Sequence, residues 1–129
     1  KQIGMGMIGQ LEHPIDGGSF IDFLKNRLNC SVIRHSELLE TPIKNVAVLG
    51  GSGSFAIEAA KTAGADAFVT ADLKYHDFFS AENKILLADV GHYESEQHIK
   101  NLLVAYLKKK ITNFAVLLSK TNTNPVKYQ

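Results

Sequence analysis

Several residues that would narrow a function at once are scarce or missing. There is one cysteine, Cys30, in 129 residues, and no tryptophan. A lone cysteine excludes an internal disulfide, and no Cys-x-x-Cys spacing exists to hold a structural zinc. A reducing compartment, the cytoplasm, is the default expectation. No apolar run approaches the ~20 residues that cross a bilayer. The opening residues carry no signal-peptide pattern. Neither sign of charge is in excess. Lys and Arg number 14 against 13 Asp and Glu, for a net charge of +1. Nothing electrostatic therefore points to nucleic acid or an anionic membrane. The chain starts at Lys1 and enters the strand-like segment Ile3 to Leu11 almost at once. That start reads as a cut through a longer protein.

What is present suits one globular α/β domain, 1-129. Hydrophobic residues make up 45% and charged residues 21%, and the length suffices for a proper core. Ile3 to Leu11 is glycine-spaced and extended, a strand expected at an edge or antiparallel. Asp16 to Asn29 carries Phe20, Phe23, Leu24 and Leu28 at helical spacing, with Asp16 or Ser19 as cap. Ser31 to Arg34 is a short strand. Asn45–Leu49, Asp66–Thr70, Ile85–Ala88 and Phe114–Leu118 read as buried strands of one sheet. Between them lie helices over Ser54 to Ala63, closed by Gly64, over Tyr75 to Glu82, and over Glu94 to Lys109. The last ends in Lys108, Lys109 and Lys110, where cations suit the helix dipole. Strand–helix alternation predicts a mainly parallel sheet with helices on both faces.

Such sheets bind ligands beyond the carboxyl ends of their strands. Four loops leave that edge: Gly50 to Ser54, Ala71 to His76, Asp89 to Glu96, and Ser119 to Pro125. Most polar residues of interest fall in them. His92 and Glu96 put an imidazole and a carboxylate on one side of a helical turn, where they can grip one divalent cation or bridge two. Composition alone supplies such a pair about 0.5 times in a chain like this, so spacing by itself is weak. Gly91 lets the backbone turn sharply before His92. Glu96 projects near the apolar stripe of Ile99, Leu102, Leu103 and Tyr106, which is expected to be buried, and an inward carboxylate needs a cation or strong donors. The plainer alternative is a carboxylate favoured by the helix start. Glu94 and His98 share the spacing but face the polar side, as a solvated helix face would.

Asp72 and His76 stand four apart after the Asp66–Thr70 strand. They can serve as a metal ligand, as an orienter of a ligand, or as a general acid or base. Equally, Asp72 can simply cap the helix that holds His76. The Gly50-Gly51-Ser52-Gly53-Ser54 loop can cradle an anion or be only a tight turn. It lacks the Gly-Lys-Ser/Thr of a phosphate loop and the third glycine of a dinucleotide fingerprint, and Phe55 follows it. His13 and His35 have no partner pattern and read as surface or structural residues. Cys30 reads as a packed thiol.

Taken in order, Gly50 to Ser54, Gly64-Ala65-Asp66-Ala67, Thr70 to His76 and Gly91 to Glu96 carry a resemblance. With Gly4-Met5-Gly6-Met7-Ile8-Gly9 at one end and Asn122-Thr123-Asn124-Pro125 at the other, the chain resembles the NIF-three-like dinuclear metal centre family. Its members are also called GTP cyclohydrolase I type 2 homologues. The resemblance spans essentially the whole chain and identifies it with the C-terminal part of that family. It implies one half of a duplicated two-half fold, with two divalent metal ions held between the halves and six chains in a toroidal homo-hexamer. Mixed imidazole and carboxylate ligands suit zinc, iron, manganese or cobalt. The family's Gly-His-x-x-x-Glu element supplies two metal ligands, matching His92 and Glu96. Its other ligands, a paired histidine and an aspartate, belong to the N-terminal half. No His-His pair occurs here, so that half is expected to lie outside this chain. The family's Thr-Gly-Asp stands here as Thr70-Ala71-Asp72. The activity implied is that of a metal-dependent hydrolase with an unspecified small-molecule substrate, with His76, alongside Asp72, as the candidate for proton transfer. The alternative is a non-catalytic, metal-binding, ring-forming scaffold or regulatory interaction protein.

Overall fold

A computed structural model of the chain describes residues 4–129; Ile3, where the first strand was expected to begin, lies outside them. Five strands form one sheet: β1 (Met7–Ile15), β2 (Arg34–His35), β3 (Ile43–Ser52), β4 (Ala67–Ala71) and β5 (Leu86–Asp89). Their spatial order is β1-β3-β4-β5-β2. β3, β4 and β5 run parallel, whereas β1 and β2 flank them antiparallel. The parallel core is therefore as expected, and β1 does lie antiparallel at an edge.

Helix α1 (Gly17–Leu28) starts at Asp16, whose carboxylate accepts from the Ser19 amide at 2.9 Å. It ends at Asn29 in a left-handed conformation. The 3-10 turn Ser54–Ala56 runs into α2 (Ile57–Thr62). A second 3-10 helix spans Tyr75–Ala81. The chain then forms α3 (His92–Glu96) and α4 (Ile99–Lys110).

Alternation along β4 and β5 builds a core on each face. Ala67, Val69, Leu86 and Ala88 pack with Phe20, Ile21 and Leu24 of α1. Phe68, Ile85 and Leu87 pack with Ile57 and Ala60 of α2 and with Ala81. Every residue of β4 and β5 is buried, which is why both read as unbroken apolar runs. Helices do cover both faces.

Three expectations fail in whole or in part. The short strand expected over Ser31 to Arg34 forms only from Arg34 onward, as β2. Phe114–Leu118 is not a strand; it is irregular, with Phe114 and Leu117 exposed. The outer edge of β5 is already occupied by β2, through Arg34 opposite Asp89 and His35 opposite Ala88, so this segment has no edge of the parallel core to join. The single helix over Glu94 to Lys109 is in fact two, broken at Gln97 and His98. The stripe of Ile99, Leu102, Leu103 and Tyr106 is exposed, at 51–65% of each residue's surface, and no residue of α4 is buried. A face that patterns as a core stripe is thus left open to solvent. Among the described residues no helix is long and apolar enough to cross a membrane.

Candidate metal centre

The carboxyl ends of β3, β4 and β5 place the site. After β5, Gly91 takes φ +88°, and the chain turns directly into α3 with His92 as its first residue. A Cβ at Gly91 would stand 2.3 Å from Glu94 Oε2, so a side chain there would displace the Glu94 carboxylate as well as strain the backbone. One turn later Glu96 returns to the same side. His92 Nε2 and Glu96 Oε2 are 3.3 Å apart, and each of these side chains is about half exposed, at 51% and 52%. The inward burial expected for Glu96 is therefore not found. The break after α3 separates its orientation from the α4 stripe, and what Glu96 faces is the imidazole.

Beneath this pair runs the bulged end of β3. Gly51, at φ +70°, lies so close that an added Cβ would be 2.7 Å from Glu96 Oε1 and 3.3 Å from His92 Cε1. Its amide donates to Ser95 Oγ at 2.9 Å, and its carbonyl accepts from Thr70 Oγ1 at 3.1 Å. The next glycine, Gly53, is set against Thr70 as well, since a Cβ would meet Thr70 Oγ1 at 2.0 Å. The glycine-rich loop is thus a floor that lets backbone approach the pair. With the Gly51 amide already taken by Ser95, that group is not offered to an anion.

Asp72 comes from the loop after β4. Its Oδ2 lies 2.6 Å from His92 Nδ1 and accepts from Ser52 Oγ at 2.5 Å. The imidazole beside it, and then the Ser52 hydroxyl, hold its carboxyl below the ordinary range. In return the Asp72 carboxylate raises His92, against a smaller opposing effect of burial. Asp72 does not cap the following helix: that role belongs to Asp77, which accepts from the Lys74 amide at 2.7 Å. His76 sits exposed on the Tyr75–Ala81 turn, edge-on to the Tyr75 ring with centroids 5.3 Å apart. It does not line the cleft that holds Asp72, His92 and Glu96.

That cleft has a volume of about 1010 Å³. One wall is the Ser119 to Pro125 loop, which reaches the carboxyl edge although no strand precedes it. Asn124 Nδ2 donates to Glu94 Oε1 at 3.1 Å, so Glu94 is half-buried against this wall and not on a solvated face. His98 is exposed. His13 and His35 are exposed strand residues, the latter 2.7 Å from the Ser36 carbonyl through Nδ1. Cys30 is packed, its thiol donating to the Val90 carbonyl at 3.5 Å.

Two residues that the sequence alone did not single out organise the loops. Asp89 is 4% exposed. It pairs with the Arg34 guanidinium and accepts from the amides of Leu73 and Gly91 at 3.0 and 3.1 Å. Arg34 also donates to the Leu73 carbonyl at 2.7 Å. The carboxylate thereby ties β2 to the loops after β4 and β5. An acid as the last residue of a buried strand is a signal that could have found it, because a buried carboxylate must be paired. The partner, 55 residues away, has no such signal.

Donor chemistry gives a direct test of metal fit. Two ligand atoms each about 2.1 Å from one ion, at angles between octahedral and tetrahedral, are roughly 3.0–3.4 Å apart. The Nε2–Oε2 separation of 3.3 Å falls in that interval. The imidazole's other nitrogen is held by a carboxylate, as metal-binding histidines commonly are. Two ligands are nevertheless few. Among the described residues no group of three or more His, Cys, Asp or Glu side chains is arranged to hold an ion alone.

Comparison with known proteins gives one consistent result. A protein of Staphylococcus epidermidis named GTP cyclohydrolase 1 type 2 homolog is 36% identical over 133 residues, covering 100% of this chain and 36% of its own length. Staphylococcus aureus protein SA1388 superposes with a TM-score of 0.84 at 31% identity, over 98% of this chain and 42% of that one. A Bacillus cereus protein related to NIF3 gives 0.81 at 30% identity, over 98% and 36%. The chain spans about a third of the length of the curated relatives it matches. The family described as Duf34/NIF3 (NGG1p interacting factor 3) matches residues 1–125, and the chain belongs to that family.

Proposed function

We propose that His92 and Glu96 are two ligands of a dinuclear divalent metal centre, and that the whole protein is a metal-dependent hydrolase acting on a small molecule. The observation that carries this reading is the convergence of His92 Nε2 and Glu96 Oε2, 3.3 Å apart, at the mouth of a cleft on the carboxyl edge of the sheet. The relatives' name, GTP cyclohydrolase 1 type 2 homolog, is compatible with hydrolysis, but no residue here specifies GTP. Zinc, iron, manganese and cobalt all suit an imidazole with a carboxylate. When bound, such ions supply Lewis-acid polarisation and water activation.

The chain's own residues prepare that chemistry. Gly51 keeps the floor low, so that His92 and Glu96 stay open to the cleft. Asp89 and Arg34 hold the loops after β4 and β5 in register. Asn124 steadies Glu94 at the opposite wall. Proton transfer by His76 requires a substrate that extends beyond the cleft to the Tyr75–Ala81 turn. Remaining ligands come from outside this chain's described residues, in keeping with its third of the relatives' length.

A second reading has one observation in its favour. The open apolar face of α4 suits assembly, as a non-catalytic metal-binding ring, a homo-hexamer, would need. Elemental analysis of the full-length protein beside Glu96→Gln tests the metal. Turnover against phosphoesters and nucleotides by the metal-loaded protein then separates enzyme from scaffold. Stoichiometric metal that Glu96→Gln loses, together with turnover, supports the first reading. Metal without turnover favours the second, and an unchanged metal content in Glu96→Gln removes both.

A further inference from the structure

We infer that Asp72, backed by Ser52, is a positioning residue that fixes His92 with its hydrogen on Nδ1 and leaves Nε2 as the free donor facing Glu96. The inference uses the metal reading for its purpose but stands on geometry of its own.

Asp72 is one of four described non-glycine residues at positive φ, at +56°. Its neighbours hold it there. Ala71 is wholly buried at the end of β4, and Leu73 is 2% exposed. The Leu73 amide donates to Asp89 and its carbonyl accepts from Arg34. With both flanking residues pinned, the left-handed conformation is imposed on residue 72, which a short polar side chain tolerates better than most. The outcome is a carboxylate turned back over the sheet edge. One oxygen, Oδ2, then accepts from β3 through Ser52 Oγ at 2.5 Å and meets α3 at His92 Nδ1, 2.6 Å away.

An ionised carboxylate only accepts, so in the neutral ring the nitrogen 2.6 Å from Asp72 holds the hydrogen in preference to the one 3.3 Å from Glu96. In the neutral ring the other nitrogen is then a lone-pair donor. Here that nitrogen is Nε2, which faces Glu96 Oε2 at 3.3 Å. Below the ring, a Cβ added at Gly51 would stand 3.3 Å from Cε1 and 3.4 Å from Nε2, so glycine there leaves the ring its place. Asp72 thus settles both which nitrogen is free and where it points. The interaction spans 20 residues of sequence, and no helical spacing links the two.

Nitrogen-15 NMR of His92 in the metal-free full-length protein, at a pH where the ring is neutral, reads the tautomer. Zinc titration calorimetry of the same samples reads the donor. Wild type should show the Nδ1–H form. Asp72→Gly suits the left-handed backbone and removes the carboxylate, so His92 should move toward the Nε2–H form and zinc affinity should fall about 10–100-fold. Asp72→Asn keeps an accepting oxygen and should restore the tautomer and much of the affinity. Ser52→Ala, which leaves the backbone untouched, should shift both readouts the same way but less, and it decides the matter if Asp72→Gly does not fold. The inference is overturned if wild-type His92 carries its hydrogen on Nε2. An unchanged tautomer in Asp72→Gly overturns it too, as does failure of Asp72→Asn to rescue. If the wild type binds no zinc, the metal reading falls, while the tautomer still decides the role of Asp72.

Discussion

Two residues show how local geometry here depends on what a side chain lacks or hides. Gly51 takes φ +70° and lies where an added Cβ would crowd His92 and Glu96. Gly51→Ala therefore suffers twice, through an unfavourable backbone conformation and through a Cβ 2.7 Å from Glu96 Oε1. We expect a stability loss of about 1 kcal/mol or more, read by urea denaturation. Metal content of the full-length protein should fall as Glu96 is pushed aside. Wild-type metal content in a folded Gly51→Ala protein would show that Glu96 is not a ligand. Cys30 is the opposite case. Burial, with a smaller contribution from Glu94, pushes its thiol up to about 11 from 9.0. At pH 8 the native thiol should react with a disulfide reagent about 100-fold more slowly than in denaturant. Because its folded value lies above the unfolded one, its contribution to stability is complete below pH 9.0. That contribution is lost as pH rises through about 11. Fast native labelling at pH 8 would contradict the packing described.

The elements differ in how far their sequences foretold them. β4 and β5 were legible because burial on both faces removes polar residues from the run. α1 was legible because Asp16, Phe20 and Leu24 give both a cap and a stripe. Phe114–Leu118 was misread because an apolar run specifies only that it wants cover, whereas a place in the parallel core also needs a free edge there, and β1 and β2 hold both. The same holds for α4: its pattern reports a face, not whether a partner lies within the chain. At the site, four-residue spacing foretold only that His92 and Glu96 share one side of a turn. The Asp72–His92 contact and the Arg34–Asp89 pair join residues 20 and 55 apart, and no periodicity encodes them.

α2 offers a test of its own, because Lys61 reaches Glu58, Glu82 and the Ser80 carbonyl at 2.9–3.0 Å. Lys84 first, and Lys61 with it, hold the Glu82 carboxyl down at about 2, from 4.5. Its folded value is lowered, so its stabilising contribution is present above pH 4.5 and is lost as pH falls through about 2. Comparing denaturation midpoints of wild type and Glu82→Gln at pH 7 and pH 2 should show a small difference that closes at the lower pH. A gap that persists at pH 2 would place the effect elsewhere.

At the scale of the whole molecule, three features are half-formed. The exposed α4 stripe, the irregular 114–118 segment and the two-ligand site all call for neighbours that the described residues do not supply. Exposed apolar surface of this extent favours self-association, so sedimentation of the isolated chain should show oligomers. Replacing Leu102 and Leu103 by Glu should reduce them without lowering the urea midpoint, since neither residue is buried. A wild-type chain that stays monomeric at high concentration would count against an interface there. Metal affinity of the isolated chain follows from ligand number. A stable site generally has three or four protein ligands, and His92 with Glu96 supplies two. Asp72 spends Oδ2 on His92 and Ser52, and Asp89 is committed to Arg34 and two amides. Most coordination positions would fall to water, and the chelate advantage would be lost. Without an ion, Glu96 is not forced into a buried charge, because half of its side chain is solvated. The chain on its own should therefore purify largely free of metal while keeping its fold. Calorimetric titration with zinc and with manganese should give weak binding that His92→Ala abolishes. Tight uptake of two ions by this chain alone would mean that further ligands lie within it, with Asp72, His76 and Asp89 the first to substitute.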